Sequence, residues 1–513
     1  MDANLSKIQM KILLIVPKIF EDDYKYNYQF PIGIAYISAV LKKAGYDVEC
    51  LNLNHHPISS LKEILNECNK YDMVMTGGIW MGFPKIKEII EIVRTYSRAK
   101  IILGGSIITS DIETVMKELR PDFGVIGEGE DTILELVKSL DTENLIEMNV
   151  INQIKGIVYF NDKDLIVTDK REFVKLDELP FPDFDGFEFE EYLNGMYCNQ
   201  WPFHNLSDNP RTYPIITSRG CPFNCTFCYH SLGSQYRFRS MENIIKEIDY
   251  AIEKYHINIL NILDDTFASS KARILQFCDY IKDKNIQWSC QLIVTSVDDE
   301  ILRRMKEAGC VIISYGFESY SPAILKSMNK FITPEQIDNA IKLTMKNKIA
   351  IQGNFLFGDP AETEETIKET LDYWKTTKGQ VVLFFVEPFA GSRIFDYCLE
   401  KGIIKDKVKY MSQDIGHANF FNMTQIPNER YQQIIDGILF LKSSGYVKSA
   451  FIKEIGQYKD KFKILVDCPF CNKELTYNNI KLSMGKNKLI CKECFMRFNV
   501  LFPLNIPDQK VGD

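Results

Sequence analysis

Thr217-Ser218-Arg219-Gly220-Cys221-Pro222-Phe223-Asn224-Cys225-Thr226-Phe227-Cys228-Tyr229 places three thiols within eight residues, on a turn that follows an apolar stretch at 213–217. The C-x3-C-x2-C spacing lets all three sulfurs converge on one metal centre, but three thiolates cannot complete a tetrahedral four-thiolate set. Soft, sulfur-bridged iron prefers thiolate, and an iron–sulfur cubane held by three cysteines leaves one iron open to another molecule. Such a site is reactive rather than a passive electron store. Zinc would need a fourth ligand from elsewhere, for example His230, and three ordinary reduced thiols are the remaining reading.

Around this stretch the chain alternates strand and helix patterns from about 213 to 390. Strands are expected at 214–217, 259–264, 288–294, 311–317, 350–357 and 381–386, separated by amphipathic helices. Six β-α units imply an open parallel (β/α)6 barrel, and parallel barrels carry their chemistry on the carboxyl-end loops. Here those loops hold Asp264-Asp265-Thr266, Thr295-Ser296, Glu318-Ser319 and the run from Gly353 to Gly358. A carboxylate or hydroxyl at such a position can accept bonds from an amino group or a ribose; equally, Asp265 could cap the following helix.

These residues resemble the radical S-adenosylmethionine enzymes, whose signature is C-x3-C-x2-C with an aromatic residue, here Phe227, before the last cysteine. The resemblance implies that Cys221, Cys225 and Cys228 ligate a 4Fe-4S cluster, that the open iron chelates S-adenosylmethionine, and that one electron cleaves it to methionine and a 5'-deoxyadenosyl radical. Tyr315-Gly316-Phe317-Glu318-Ser319 is similar to the family's ribose or methionine contact strand, and Gly353 to Glu362 loosely to its G-x-I-x-G-x-x-E motif. By resemblance, Phe227, Asp264, Asp265, Ser296, Glu318, Gly353 and Phe357 contact S-adenosylmethionine.

Residues 1 to about 140 alternate in the same way. Strands at 11–17, 47–53, 72–78, 100–106 and 123–130 each lead to a helix, the first spanning 32–44 and ended by Gly45. Five such units make a parallel, doubly wound, Rossmann-like sheet whose ligands bind beyond the carboxyl ends of its strands. Glycines fall at those ends: Gly77-Gly78, Gly104-Gly105, Gly127 and Gly129. Backbone without a Cβ can approach a large flat or phosphate-bearing ligand. The first turn, Pro17 to Asp23, has no glycine, which disfavours a dinucleotide.

The domain instead resembles the cobalamin-binding module that precedes the cluster motif in one class of radical S-adenosylmethionine enzymes. Phe30-Pro31-Ile32-Gly33-Ile34-Ala35-Tyr36-Ile37, Gly104-Gly105-Ser106 and Gly127-Glu128-Gly129-Glu130 carry the likeness. The resemblance implies a cobalamin whose nucleotide tail threads into the sheet while the corrin faces the barrel. Its contacts would be Pro31, Gly33, Gly77, Gly78, Trp80, Gly104, Gly105, Ser106, Gly127, Glu128 and Gly129. Trp80 either packs below the corrin or fills the interior. The D-x-H-x-x-G motif that supplies a histidine to cobalt is absent, so cobalamin is expected without a histidine ligand; His55-His56 read as solvent-facing loop residues.

Residues 141 to about 205 read as a connector, with a hairpin pattern at 156–168 and a proline-stiffened link at 179–184. Residues 395–460 have helical periodicity. The tail departs from this: Cys468-Pro469-Phe470-Cys471 and Cys491-Lys492-Glu493-Cys494 are two C-x2-C knuckles with the spacing of a closed four-thiolate zinc ribbon, a second iron–sulfur centre being the alternative. The expected domains are 1–145 (cobalamin-binding), 146–205 (connector), 206–395 (radical barrel), 396–460 (helical extension) and 461–513 (zinc-ribbon-like).

The 513 residues exceed one core, and 45% apolar with 25% charged residues is an ordinary globular composition. A net charge of -8 disfavours a broad nucleic-acid surface. No apolar run reaches a membrane span, the start lacks a signal-peptide core, and half of the 14 cysteines fall in two metal-type clusters, so a reducing cytoplasm is expected. The expected enzyme is a cobalamin-dependent C-methyltransferase acting on a small-molecule, lipid or peptide substrate, using two molecules of S-adenosylmethionine per turnover. Relatives imply an electron donor such as flavodoxin or ferredoxin, and a monomer or weak dimer. Rival readings are a cobalamin-dependent radical cyclisation, rearrangement or oxidation, and a non-catalytic cobalamin-binding or sensing protein. A methylthiotransferase is disfavoured because residues 1–150 contain only Cys50 and Cys68.

Overall fold

The computed structural model describes residues 10–20, 27–66, 70–141, 148–201, 203–230, 232–267, 270–413, 421–443, 448–459, 461–481 and 487–501. The chain divides into two compact units. One comprises Met1–Tyr192, Phe227–Arg237 and Pro388–Asn419; the other comprises Leu193–Thr226, Phe238–Glu387 and Phe420–Asp513.

In the first unit, runs of apolar residues without alternation become strands buried on both faces. They are β1 (Lys11–Val16), β2 (Asp47–Asn52), β3 (Met73–Gly77), β4 (Lys100–Gly104) and β5 (Phe123–Val125), and they pair in parallel in the order β2-β1-β3-β4-β5. The sheet does not stop there. The hairpin β6 (Ile157–Asn161) and β7 (Asp164–Val167), expected in a separate connector, adds antiparallel strands beyond β5, with Gly124 opposite Val158. Three-residue β5 would otherwise leave an apolar edge open, and Ile157, Val158 and Tyr159 cover it while becoming buried themselves.

The link at 179–184 is docked on helix Ile32–Lys43. Asp183 N donates to Ala35 O at 3.0 Å, and the Asp183 carboxylate accepts from Ser38 Oγ at 2.5 Å and Lys42 Nζ at 2.6 Å. Phe30 packs edge-on to Phe184 and Phe189, with ring centroids 5.0 and 4.8 Å apart. Each fully buried phenyl contributes on the order of 1.5–3 kcal/mol, so the aromatic residue opening the first helix is a core anchor.

The second unit holds six parallel strands, β8 (Thr212–Ile215), β11 (Ile259–Ile262), β12 (Gln287–Leu292), β13 (Cys310–Glu318), β14 (Ala350–Phe357) and β15 (Val381–Phe385), in sequential order with β8 and β15 at the edges. Short strands β9 (Ser218–Arg219) and β10 (Arg237–Phe238) flank the cysteine stretch in the sequence. Five of its helices begin on side chains that accept the orphan N–H of the third helical residue: Ser240, Ser270, Asp298, Thr333 and Thr363. Asp265 therefore does not cap a helix; Ser270 does.

The tail forms a five-stranded sheet, order β18-β17-β16-β20-β19, from β16 (Ser449–Tyr458), β17 (Lys461–Asp467), β18 (Glu474–Ile480), β19 (Asn487–Ile490) and β20 (Arg497–Leu501). Residues 449–458, expected in a helical extension, are a strand: Ala450 and Ile452 are buried while Phe451 and Lys453 are exposed, a period of two. Side-chain amides bracket the tail main chain. Gln380 accepts from Arg497 N at 2.7 Å and donates to Arg497 O at 3.0 Å; Asn205 does the same to Ile490 at 3.0 and 2.6 Å. Ile490 shares one apolar cluster with Ile259, Val311, Ile312 and Ala350 at the amino ends of the parallel strands. The four-cysteine tail thus covers the end of the sheet away from its carboxyl-end loops.

Gly77 and Gly104 are register partners, and a Cβ on Gly77 would lie 2.2 Å from Gly104 O, whereas a Cβ on Gly104 meets nothing within 4 Å. Gly77→Ala should cost about 3 kcal/mol in denaturant unfolding of the apoprotein, and Gly104→Ala under about 1 kcal/mol. Equal effects would refute this asymmetry.

Candidate active site

The cysteine loop hangs from the end of β8, and one buried carboxylate fixes its take-off. Asp264, just past β11, accepts from Thr217 N at 2.6 Å, Thr217 Oγ at 2.5 Å and Ser218 Oγ at 2.8 Å. Burial pushes its pKa up to about 6, against the pull of these donors. Arg239 grips the same strand end, with its N–H to Thr217 O at 2.9 Å and its guanidinium to Ile216 O at 2.9 Å. The guanidinium is ion-paired to buried Glu247, which also accepts from Tyr213 Oη at 2.9 Å. Gly220, at φ +84°, then turns the chain through the left-handed region into Cys221. Cys221 is half-buried, Cys225 buried and Cys228 exposed. Burial pushes the thiols of Cys221 and Cys225 up.

The seven residues expected against S-adenosylmethionine separate into two groups. Asp264 has both oxygens committed to the loop, Phe357 is buried beside Phe385, and a Cβ on Gly353 would overlap the Phe317 ring at 2.2 Å. These three are tied into the framework around the site. Asp265 is exposed and Phe227 half-buried. Half-buried Ser296 donates to Ile293 O at 2.8 Å, leaving its hydroxyl oxygen as an acceptor. Glu318 closes β13 and holds Lys330 Nζ at 3.0 Å.

Glu362 ends the Gly353 to Glu362 run, and the sequence pattern gives it no role of its own. It is 1% exposed, Oε2 accepts from Gly358 N at 2.5 Å, and Oε1 has no partner. Burial pushes its pKa up to about 8, with Asp359 adding to the rise, so the carboxyl is largely neutral at pH 7. The Gly-Asp-Pro-x-Glu run directly after β14 was the available signal.

In the first unit, the carboxyl-end glycines also divide. Gly33, Gly104 and Gly127 have open space where a Cβ would stand; Gly77 faces Gly104 O, and a Cβ on Gly105 would lie 2.8 Å from Gly78 O. Gly78 and Gly129 have only side-chain neighbours at that position. Pro31 precedes the first helix, while Ser106 Oγ and Ile107 N donate to Gly78 O at 3.4 and 3.0 Å, closing that turn on itself.

One expectation is overturned here, that of a solvent-facing His55, and two residues expected beside cobalamin find partners within the protein. Glu128 is held within the protein: Arg237 pairs with both its oxygens at 2.8 and 3.0 Å, and Val174 N donates to it at 3.0 Å. Trp80 is 3% exposed, stacked on Tyr410 with centroids 5.5 Å apart and planes 9° apart, and edge-on to Phe389, so it fills the interior. His55 is not solvent-facing; its ring bridges Glu188 at 2.8 Å and Tyr28 Oη at 2.7 Å, and His56 meets the other Glu188 oxygen at 2.6 Å.

In the tail, the four sulfurs of Cys468, Cys471, Cys491 and Cys494 lie within 4.8 Å of one another. Two of the sulfur–sulfur distances are 3.7 Å, close to the edge of about 3.8 Å for a tetrahedron with metal–sulfur bonds of about 2.3 Å. Phe470 N, Glu493 N and Cys494 N donate to the sulfurs, favouring thiolates.

An open parallel sheet with a three-thiolate loop after its first strand, and a doubly wound unit with open glycine turns, define an enzyme that works through two bound cofactors. Residues 215–373 match the radical SAM superfamily, and residues 26–137 match the B12 binding domain. The chain thus carries both a radical SAM domain and a B12 binding domain, the pairing found in cobalamin-dependent radical S-adenosylmethionine enzymes. It is 28% identical over 408 residues to an uncharacterized methyltransferase of Pyrococcus horikoshii, covering 77% of this chain and 84% of that one. It is 26% identical over 440 residues to the anaerobic magnesium-protoporphyrin IX monomethyl ester cyclase of Cereibacter sphaeroides, covering 82% and 67%. Its fold is similar to that of the radical S-adenosylmethionine methyltransferase TsrM of Kitasatospora setae, solved with cobalamin and a 4Fe-4S cluster, with a TM-score of 0.61, 17% identity, and coverage of 77% and 75%.

Because Glu362 has a folded-state pKa of about 8 against an ordinary 4.5, the folded protein holds its proton longer than the unfolded chain. The stability this gives is complete below pH 4.5 and is lost as pH rises through 8. Glu362→Gln should remove that pH dependence: thermal melts of wild type should fall relative to the variant between pH 6 and 9. Parallel profiles would contradict a protonated Glu362.

Proposed function

We propose that the enzyme transfers a methyl group to an unactivated carbon of a small-molecule, lipid or peptide substrate. The observation that carries this is the presence of both cofactor domains in one chain whose relatives include methyltransferases. When bound, the cluster, S-adenosylmethionine and cobalamin supply a hydrogen-abstracting radical and a methyl donor. The protein's part is placement. Cys221, Cys225 and Cys228 hold the cluster, with Asp264 and Arg239 setting the angle of their loop. Asp265, Ser296 and Glu318 offer acceptors to the amino and hydroxyl groups of S-adenosylmethionine. Gly33 in the first helix, Gly104 at the end of β4 and Gly127 after β5 leave open space for the cobalamin.

A radical cyclisation is the second reading, favoured by the Cereibacter sphaeroides cyclase. A low-potential reductant of the flavodoxin or ferredoxin kind would serve either reaction. Every described cysteine is free and, among the described residues, no helix is long and apolar enough to cross a membrane; both support a cytoplasmic site of action. The tail cysteines fit a structural zinc, which would tie the knuckles before β18 and β20 together.

Anaerobic enzyme reconstituted with iron, sulfide and cobalamin and supplied with a low-potential reductant such as dithionite should convert methyl-deuterated S-adenosylmethionine into 5'-deoxyadenosine and place three deuterons on one carbon of a component of a fractionated metabolite and lipid extract. Deoxyadenosine without a labelled product would sink methyl transfer and leave cyclisation; no deoxyadenosine would leave a cobalamin-binding or sensing protein. For the tail, elemental analysis should find one zinc per chain, and Cys491→Ser should lose it and lower the melting temperature by about 5–10 °C. Loss of iron instead of zinc would assign the knuckles to a second cluster.

A further inference from the structure

Strands β12, β13 and β14 turn one face to the helices and the other to the interior of the open barrel, and register tells the two apart. Tyr315 Oη meets Thr344 Oγ of helix Pro334–Lys346 at 2.9 Å; its register partner is Gly353, and Phe355 on the same face packs edge-on to Tyr373 of helix Glu364–Thr376. Residues one position away face the interior. There Gln291, Ser314 and Gln352 stand in register across the three strands, with Asn354 next above Gln352 on that face. The interior of a parallel barrel is ordinarily packed with Val, Ile and Leu. Here Gln291 is exposed and Ser314, Gln352 and Asn354 are half-buried, and among the described residues none of the four side chains bonds to protein. Two residues below the row, Ile312 and Ala350 are buried and pack with Ile490 of the tail, which closes the floor.

Beside Ile490 stands a charge. Arg497 is its cross-strand partner, so the two side chains share the face turned to the barrel, while Phe498 points into the tail core. Arg497 is 4% exposed; its Nη2 donates to O of Ile351, the residue before Gln352, and its Nε has no partner. Among the described residues no carboxylate pairs with it, and burial alone pushes its pKa down to about 10. A buried charge is costly unless paired, and a strut to one carbonyl needs no charge, since an amide would serve. What a lone guanidinium fits is a carboxylate or phosphate, taken through two N–H groups at once.

Resting on the reading of the chain as an enzyme whose substrate enters this barrel, we propose that the substrate is a polar acid: Arg497, supplied by the tail, pairs with its carboxylate or phosphate at the floor, and Gln291, Ser314 and Gln352 hydrogen-bond its hydroxyl or amide groups. Gln352 lies five residues before Phe357, the last of β14, which is roughly 16 Å of strand. The molecule is therefore elongated, with its acidic end remote from the carbon that reacts at the carboxyl-end loops. A hydrocarbon chain in the same place would leave the row and the guanidinium without partners.

The test uses the full chain as wild type, Arg497→Lys, Arg497→Gln and Gln352→Leu, reconstituted anaerobically with iron, sulfide and cobalamin and supplied with dithionite and S-adenosylmethionine. A cell extract is divided into a fraction retained on an anion exchanger, an unretained aqueous fraction and a neutral lipid fraction, and 5'-deoxyadenosine formation is followed with each. The retained fraction should raise the wild-type rate and the other two should not. Loss of that effect after phosphatase treatment assigns a phosphate, and its survival a carboxylate. Arg497→Gln should need about 100-fold more of the retained fraction for half-maximal rate, and Gln352→Leu about fivefold more, with Arg497→Lys between wild type and Arg497→Gln. Maximal rates and melting temperatures should move little, which distinguishes a substrate contact from a strut of the tail. Stimulation by the unretained or lipid fraction alone would overturn the proposal, as would an Arg497→Gln variant that melts with wild type and responds to the retained fraction equally. Should Arg497→Gln fail to fold, Gln352→Leu decides, because its side chain has no protein partner to lose: an unchanged half-saturation there overturns the proposal. Wild type that forms no deoxyadenosine with any fraction would overturn the enzyme reading and the proposal with it, whereas every other failure leaves wild-type turnover intact.

Discussion

The carboxylate of Asp264 is the point on which the cluster site depends. A three-cysteine loop has no shape of its own before metal arrives, so its direction must come from the residues that lead into it. Asp264 reaches from the neighbouring strand end and takes the Thr217 N–H, the Thr217 hydroxyl and the Ser218 hydroxyl into one acceptor. Hydrogen bonds to a charged group are worth about 1.5–3 kcal/mol each, and buried donors left without them would carry a similar penalty. The loop therefore leaves the sheet in one direction, and the buried Arg239–Glu247 pair behind it resists rotation of the strand end. Chemistry placed on a loop inherits its precision from an arrangement of this kind in the rigid scaffold.

The same logic explains why several conspicuous residues serve the framework. Gly77 is small because Gly104 O occupies the place of its Cβ, Gly353 because the Phe317 ring does, and Gly316 because the Glu318–Lys330 pair does. Trp80 is large because Tyr410 and Phe389 need filling between them. In each case the neighbour comes from elsewhere in the chain. Residue type alone announces that something special happens at such a position, without saying whether a ligand or another part of the protein causes it.

That boundary marks what could be read in advance. The two sheets were legible because unbroken apolar runs at β-α spacing are a local signal, and so were both cysteine groups, whose spacing is itself the chemistry. The hairpin at β6 and β7 was legible as a hairpin but not as part of the first sheet, since joining β5 is a long-range event. Strand β16 was hidden because Ala450, Phe451, Ile452 and Ile455 satisfy a helical period nearly as well as an alternating one. The commitments of Asp264 to Thr217 and of Glu128 to Arg237 span 47 and 109 positions, and no spacing rule reaches that far. His55 was misplaced because a histidine pair after a strand reads as loop, whereas Tyr28 and Glu188 close over it from distant segments.

The tail follows from the needs of an open sheet. Catalytic loops at the carboxyl end must stay accessible, so cover can be added without interference only at the amino end, where Ile259, Val311, Ile312 and Ala350 would otherwise face water. Ile490 and its strand provide that cover, but a five-stranded sheet with so small a core is marginal alone. Two devices compensate. The amides of Gln380 and Asn205 each pair with both the N–H and the C=O of a tail residue, so the tail backbone is hydrogen-bonded by the larger unit as a further strand would be. The four sulfurs, gathered within 4.8 Å, can be joined by a single ion. An ion that ties the tail also braces the amino ends of β11, β13 and β14 through Ile490. The four-cysteine group is thus mechanically linked to the sheet that carries the three-cysteine loop at its other end.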